Sequence, residues 1–233
     1  MNLKISKTNV IKTVEQWRQF APPKDEKKQW KEGKSALSLA QFITDKRQVK
    51  QLEKVLKDLG YDTRGEILCT PEANTILPGK GGGRNHDLLM IGKDFVAGIE
   101  AKVAESFDGT IRQEYKNASS NKQYRIDKLV SELFQCEINE DIKDLRYQLL
   151  TGAVGTLFEA IRNRKNKALF LVIVFVDGIT NAERSNVKKN NDDYDAFCKS
   201  LGLGKGGAKT VFNIELTIKK IEISLNNDHP SSL

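Results

Sequence analysis

The feature that most constrains the fold is an uninterrupted apolar run at residues 168–176, Ala-Leu-Phe-Leu-Val-Ile-Val-Phe-Val. β-Branched and aromatic residues favour strands, and a strand without polar alternation is typical of one that is buried on both sheet faces. Helices cover both faces of a parallel sheet in α/β proteins. The run therefore predicts an interior parallel strand in an α/β fold.

Other segments predict the helices and strands around it. Apolar residues recur at helical spacing before and after a central group of short apolar runs. The predicted helices include Val10 to Phe20, a helix capped by Ser35, Val49 to Leu59, Ile126 to Phe134, Leu145 to Ile161, and a short helix around Tyr194 to Leu201. The predicted strands are 66–70 (ending before Pro71), 86–91, 95–103, and a late strand or hairpin over 212–225 that has a bulge or turn at Lys219-Lys220.

Length and composition indicate one soluble globular domain. The chain has 233 residues, of which 39% are hydrophobic and 30% are charged, and no composition break divides it. We expect a single domain over 1–233, with a core at about 35–225 and a polar tail at 226–233. No apolar run approaches the roughly 20 residues of a membrane span, and the first residues lack a secretory apolar block. These features predict a cytoplasmic protein with no membrane partner.

Net charge and the numbers of cysteines and histidines limit which partners and which kinds of metal or catalytic site the chain can have. The net charge of +7 favours a polyanionic partner such as nucleic acid. Three separated cysteines without a CxxC pair read as reduced thiols. The chain has only two histidines, and this makes a His-rich zinc site or a Ser-His-Asp triad difficult to assemble. Metal chemistry would therefore depend on carboxylates.

The segment 84–103 contains the strongest candidate site. Side chains alternate along a strand, so Glu100 and Lys102 are predicted to share a face. In an antiparallel hairpin the residue numbers of every pair add up to the same value. Position 87 with position 100 gives the same value as position 92 with position 95, so a hairpin that turns at 92–95 pairs position 87 with position 100. Asp87 then joins the other two side chains on that face. Two such carboxylates suit Mg²⁺ or Mn²⁺, and the carbonyl of Ala101 is a further candidate ligand.

These residues carry a resemblance to a known family. Asp87, twelve intervening residues and then Glu-Ala-Lys at 100–102 resemble the motif of the PD-(D/E)xK nuclease superfamily, although His86 stands where that family often has proline. The resemblance implies a restriction-endonuclease-like mixed sheet flanked by helices, with additional N-terminal helices. It also implies that Asp87 and Glu100 bind the metal ion and that Lys102 activates water. The implied activity is that of an endonuclease that hydrolyses phosphodiester bonds in a bacterial or phage setting, with DNA favoured over RNA and the choice between them left open.

Further residues are weaker candidates. Gln148 on a later helix is a candidate for orienting substrate or catalytic groups. Glu105 is a candidate for holding a bound water or a second metal ion. The candidates for an additional acidic metal ligand are Glu72, Glu53 and Glu32, of which Glu72 is preferred. The basic residues Arg84, Lys122 and Arg125 are candidate nucleic-acid contacts.

Several alternatives remain open at this point. The triplet at 100–102 also fits a surface hairpin with a solvated ion pair, which contributes little to stability. A nuclease fold can persist in a protein without catalysis that binds nucleic acid or supports an assembly. A homodimer, or a partner protein that delivers the substrate, is also compatible with the sequence. The glycine-rich stretch 202–210 resembles a P-loop but has the wrong spacing and is predicted to lead into a strand rather than a helix.

Overall fold

The structure is a computed structural model that describes residues 1–5, 11–80, 82–116 and 118–226. The chain contains both helices and strands, in groups that follow one another along the sequence. In order, they are β1 Asn2–Ile5, α1 Val14–Phe20, α2 Glu26–Gln29, α3 Ser35–Thr44, α4 Lys46–Asp58, β2 Glu66–Thr75, β3 Arg84–Ile91, β4 Phe95–Lys102, α5 Ile111–Lys116, α6 Ser120–Phe134, α7 Tyr147–Arg162, β5 Lys167–Phe175, α8 Arg184–Ser200, β6 Gly207–Val211 and β7 Ile214–Ile223.

The strands form one mixed sheet of seven strands in the order β1-β2-β3-β4-β5-β7-β6. The central strands β4, β5 and β7 are parallel, whereas β3 is antiparallel to both β2 and β4, and β6 is antiparallel to β7. The strand β5 lies between β4 and β7 and is parallel to both. The prediction of an interior parallel strand is confirmed.

Helices cover both faces of this sheet. Alternate residues of β5 point into two separate hydrophobic layers: Phe170 and Val172 pack with α6, α7 and α8, whereas Leu169 and Leu171 pack with α1, α3 and α4. A strand that is buried on both faces needs no polar alternation, which explains the continuous apolar run.

The helix α7 lies very close to the sheet. Eleven of its residues are buried, and two of them are glycines that face the strands. A Cβ added at Gly152 would lie 2.4 Å from the Phe170 ring, and one added at Gly155 would lie 3.0 Å from the His86 ring. The two glycines therefore allow the helix to approach β3 and β5.

The hairpin of β3 and β4 has the predicted register. Leu88 pairs with Ile99 and Ile91 pairs with Val96, and the amide of Gly92 donates to the carbonyl of Phe95 over 3.0 Å. The turn at 92–95 is thus confirmed, and it fixes which residues of the two strands are neighbours.

Two predictions about strand limits were wrong. The strand β2 does not end before Pro71 but continues to Thr75, and Pro71 pairs with Leu88. Among the described residues, β1 pairs with residues 66–69, so Pro71 has a described strand neighbour on one side only, and a missing amide is tolerated at such a position. At the other end of the sheet, β7 passes through Lys219-Lys220 in continuous register with β5, without a bulge or turn.

The reversal of the apolar pattern within β7 has a different cause. Ile214, Leu216 and Ile218 point toward α6, α7 and α8, whereas Ile221 and Ile223 point to the opposite layer. The strand itself continues without a break, but helices cover one of its faces in the first half and the opposite face in the second half. Phe212, which was predicted to belong to this strand, lies in the turn between β6 and β7 with a positive φ of 53°.

The remaining differences concern helices. α8 begins at Arg184 and is therefore longer than predicted, and Ser35 is the first residue of α3 rather than its N-cap. The stretch 202–210 leads into β6, in agreement with the rejection of a P-loop. The predictions for Val10 and for the end of the tail at 227–233 lie outside the described residues. Within the described ranges, no helix combines the length and apolarity needed to cross a membrane.

We expect Gly98→Ala in β4 to lower the free energy of unfolding by about 1–3 kcal/mol, because it overpacks a filled interior. The new Cβ would lie 2.2 Å from Thr156 Oγ1 and 2.8 Å from the His86 ring. Urea denaturation measures the effect, with Gly82→Ala as the control, since a Cβ there meets no atom within 4 Å. Equal unfolding midpoints for the two variants would contradict this account of the packing.

Candidate active site

The predicted site residues surround a pocket of about 450 Å³ at the ends of β3 and β4. The sheet forms its floor, the segment from α1 to α3 forms one wall, and the loop after β4 together with the start of α7 forms the other. The predicted residues that line the pocket are Glu72, Asp87, Glu100, Ala101, Lys102, Glu105 and Gln148.

The pocket exists because β3 and β4 separate at Asp87. The paired ladder ends at Leu88 and Ile99, and beyond it the amide of Ala101 donates to Asp87 Oδ2 over 2.7 Å instead of to a backbone carbonyl of β3. The regular alternation of β3 also breaks here. His86 lies against Gly155 of α7, whereas Leu88 packs in the opposite layer. Asp87 therefore joins the site through this side-chain bond, and not through the simple alternation that the sequence suggested.

Glu100 is the centre of a network of donors. Lys102 Nζ lies 2.9 Å from Glu100 Oε1, and Gln148 Nε2 donates to the same oxygen over 2.7 Å. The guanidinium of Arg84 pairs with the other oxygen, Oε2. Glu100 is only 2% exposed and Lys102 only 7%, so the pair is not a solvated surface ion pair. The alternative of a solvated hairpin does not describe this site.

The charges of Glu100 and Lys102 stabilise each other. Burial would raise the pKa of Glu100, but the cations of Lys102 and Arg84 outweigh burial and hold that pKa below its ordinary value. Burial would likewise lower the pKa of Lys102, but the carboxylates of Glu100 and Asp87 raise it. The site therefore contains a carboxylate and an ammonium group at neutral pH.

The other two carboxyls differ from Glu100 because they have less cationic compensation. Burial, followed by the charge of Glu100, raises the pKa of Asp87. The same two causes raise the pKa of Glu72 to about 7. Glu72 has a φ of 48° and lies in β2 between two residues that pair with β3, so its backbone is distorted beside Asp87. Bringing three carboxyls together has an electrostatic cost, which an added cation would relieve.

Glu105 has a structural partner. Its Oε1 accepts from the amide of Ser35 over 3.1 Å, and its Oε2 accepts from the amide of Val103 over 2.7 Å. A carboxylate at the first residue of α3 satisfies an amide that has no partner within the helix. Glu105 thus connects the N-terminal wall of the pocket to the end of β4.

Each of the predicted nucleic-acid contacts is engaged with other groups of the protein. Arg84 is engaged with Glu100 in the site. Lys122 pairs with Glu114, and the guanidinium of Arg125 donates to the carbonyls of Pro78, Lys80 and Gly82. Arg125 therefore holds the glycine-rich loop that precedes β3.

The structure also separates the three candidates for an additional acidic ligand. Glu72 lines the pocket. Glu53 pairs with the amino group of Met1 and with Lys57, and Glu32 lines a different pocket, beside Asp177.

His86, in the position of the proline in the family motif, is fully buried beneath α7. Burial lowers its pKa to about 3, with the nearby charge of Arg84 as a second cause. Neither ring nitrogen has a hydrogen-bond partner among the described residues. The neutral ring fills the space left by Gly98 and Gly155 and does not enter the pocket.

One wall of the pocket was not predicted as part of the site. Lys24, Lys28, Lys34 and Trp30 line the pocket from the segment between α1 and α3. Five lysines between residues 24 and 34 were the available signal, but nothing in the sequence placed this segment beside β4.

The donor set fits a hard divalent cation only in part. Across the described ranges, no group of three or more His, Cys, Asp or Glu side chains is arranged to hold a metal ion. Asp87 and Glu100 remain as a pair, and Mg²⁺ commonly uses one or two carboxylates together with water and substrate phosphate. Glu100 accepts three of the roughly four hydrogen bonds that a carboxylate can take, so one acceptor position remains.

A family model described as "Domain of unknown function (DUF6946)" matches residues 10–225, and the chain belongs to this family. The match spans strands β2 to β7 and every residue that lines the pocket. Neither the curated proteins nor the solved structures contain a match to the chain.

We expect Glu72→Gln to stabilise the metal-free protein at pH 8 and to have little effect near pH 4.5. Because the folded-state pKa of about 7 exceeds the ordinary value of 4.5, the folded state binds more protons between these values, and its stability falls as the pH rises. The side chain of glutamine does not ionise, so the variant should not lose this stability as the pH rises. Melting temperatures measured across this range in the presence of a chelator test the expectation, with Glu66→Gln at the exposed start of β2 as the control. A parallel pH dependence of wild type and Glu72→Gln would contradict it.

Proposed function

We propose that this chain is a metal-dependent nuclease with a restriction-endonuclease-like fold that hydrolyses phosphodiester bonds in DNA. The observation that carries the proposal is the convergence of Asp87, Glu100 and Lys102 on one pocket at the ends of adjacent strands. The bond from the Ala101 amide to Asp87 and the ion pair between Glu100 and Lys102 hold these groups together. The mixed sheet with helices on both faces is consistent with the proposed fold.

In this proposal, Asp87 and Glu100 hold Mg²⁺ or Mn²⁺, and the carbonyl of Ala101 is an additional candidate ligand. When bound, such an ion lowers the pKa of a coordinated water and stabilises charge on phosphate oxygens. The raised pKa of Asp87 supports this assignment, since a buried carboxyl beside a second carboxylate gains from a cation.

Lys102 is the proposed electrostatic group for the reaction. Hydrolysis adds water across a P–O bond, and negative charge increases on the oxygens around phosphorus and on the leaving oxygen. The ammonium group of Lys102, positioned by Glu100, stabilises that charge and a nearby hydroxide. Its raised pKa keeps it cationic, so it acts as a fixed positive charge rather than as a free base.

Gln148 is the proposed positioning residue. The side-chain nitrogen Nε2 of Gln148, in the first turn of α7, donates to Glu100 Oε1. The side-chain oxygen Oε1 of Gln148 is buried and has no hydrogen-bond partner among the described residues. A helix therefore fixes the carboxylate, and Gln148 Oε1 is an acceptor beside it that has no partner among the described residues.

A second function is favoured by one specific observation. Arg84 occupies Oε2 of Glu100 and competes with a metal ion for that oxygen. A protein that binds nucleic acid or supports an assembly, without catalysis, would keep such a closed ion-pair network. The two functions differ in whether a metal ion can bind at Glu100 and support cleavage.

We expect Lys102→Met to reduce DNA cleavage by at least about 100-fold, because removal of one preorganised electrostatic donor typically has an effect of this size. Asp87→Asn should reduce cleavage and also weaken metal binding. Cleavage of plasmid, linear duplex, single-stranded DNA and RNA with Mg²⁺ or Mn²⁺ measures the first effect, and calorimetric titration with Mn²⁺ measures the second.

Lys54→Met, at an exposed position in α4, is the matched control and should cleave like wild type. Melting curves establish that each variant is folded. Cleavage at the wild-type rate by Lys102→Met would disprove the proposed mechanism. Nucleic-acid binding by wild type without cleavage of any substrate would instead support the non-catalytic alternative.

We expect DNA affinity to fall steeply with salt, because lysine–phosphate contacts release counterions. Substitution of Lys24, Lys28 and Lys34 by alanine should reduce the slope of log K against log salt by about 3, or about 1 for each lysine. The α4 lysines Lys46, Lys50 and Lys54 provide a control triple variant with the same net charge and exposed positions. Fluorescence anisotropy at several salt concentrations measures both slopes, and equal slopes would exclude the pocket wall as a phosphate-binding surface.

A further inference from the structure

We propose that the pocket receives an unpaired nucleotide of single-stranded DNA, with Trp30 as the stacking surface for its base. This inference rests on the proposed nuclease function and specifies the form of its substrate. Depth, charge and an aromatic side chain in the same pocket support it.

The depth of the reacting groups limits what can reach them. Glu100 and Lys102 are almost completely buried at the floor of a pocket of about 450 Å³. That volume lies within the range of about 300–1,000 Å³ that is typical of pockets for one small molecule. It is large enough for a nucleotide and has walls on two sides, formed by residues 17–39 and by the loop after β4.

The burial of Glu100 and Lys102 favours an unpaired nucleotide over a continuous duplex. Its phosphates lie on the outside of a convex helix, and paired, stacked bases hold each phosphate at that surface. Enzymes that draw a base into a pocket act on single strands or move the nucleotide out of the stack, and this costs least when the base is already unpaired. The floor of the pocket is therefore accessible to a single strand or to a frayed end.

The wall between α1 and α3 has the chemistry of a single-strand binding surface. Such surfaces combine positively charged side chains, which follow the phosphate backbone of the nucleic acid, with aromatic side chains on which the bases stack. Lys24 and Lys34 line the pocket on the same wall as Trp30. Trp30 is half-buried and packs partly against the layer of α1, α3 and α4, so its indole is held in place while it still lines the pocket.

The two tryptophans of the chain allow a direct test. Both tryptophans line the pocket, but Trp17 is only 3% exposed whereas Trp30 is half-buried. In Trp17→Phe, all tryptophan fluorescence comes from Trp30, and stacking of a base should quench it. The probe is a twelve-nucleotide oligothymidylate, titrated without metal so that cleavage does not interfere. A blunt duplex with a closed hairpin at each end is the competitor.

We expect strong quenching in Trp17→Phe and much weaker quenching in Trp30→Phe, where the only reporter is Trp17, whose ring is almost fully buried and offers no face for stacking. Trp30→Ala should weaken oligothymidylate binding roughly tenfold, whereas Trp30→Phe, which keeps an aromatic face, should retain most of the affinity. Tyr124→Ala, at an exposed aromatic residue of α6 outside this pocket, should bind like wild type.

The outcomes separate this inference from the nuclease proposal. Equal affinity for the closed duplex and the oligothymidylate, or an unchanged affinity of folded Trp30→Ala, would overturn the inference even if DNA is cleaved. Quenching and a preference for the single strand would support it even if no cleavage is observed. In that case only the proposed chemistry would fail.

Discussion

Burial of β5 on both faces is the constraint on which the rest of the structure depends. A strand without polar side chains requires a helix layer on each side, and the two layers are built from α1, α3 and α4 and from α6, α7 and α8. β4 pairs with β5 along its full length from Phe95 to Lys102, so Glu100 and Lys102 are drawn into the same interior. Their burial follows from the position of β4, and their mutual ion pair offsets much of its cost.

The pocket occurs where this regular arrangement ends. β3 stays paired with β4 only as far as Leu88, and the carboxylate of Asp87 then accepts the Ala101 amide that would otherwise lack a strand partner. The same bond provides an acceptor for the Ala101 amide where the β3–β4 ladder ends, and it places a second carboxyl beside Glu100. The site thus concentrates charge that lowers stability, which is the usual relation between a functional site and its scaffold.

The sequence predicted those features that depend on neighbours along the chain. The turn at 92–95 determines the register of β3 and β4 as far as Leu88 and Ile99, so the sequence could predict that Asp87 lies near Glu100. It could not predict the bond from the Ala101 amide that brings the Asp87 side chain into the site. The reversal within β7 could not be read correctly, because it depends on which helix layer covers each half of the strand. The bond from Ser35 to Glu105 joins residues 70 positions apart, and no local pattern contains it.

That long-range bond also explains why the N-terminal segment forms a wall of the site. The first turn of an α-helix has amides without helical partners, and Glu105 accepts one of them at the start of α3 while its other oxygen accepts the Val103 amide. The position of α3 is thereby tied to the end of the strand that carries Glu100 and Lys102. Lys34 immediately precedes α3, and Trp30 lies four residues before that, so their place beside the carboxyls follows from the same contact. A rigid sheet supplies the buried charges, and one carboxylate beyond it positions the surface that faces them.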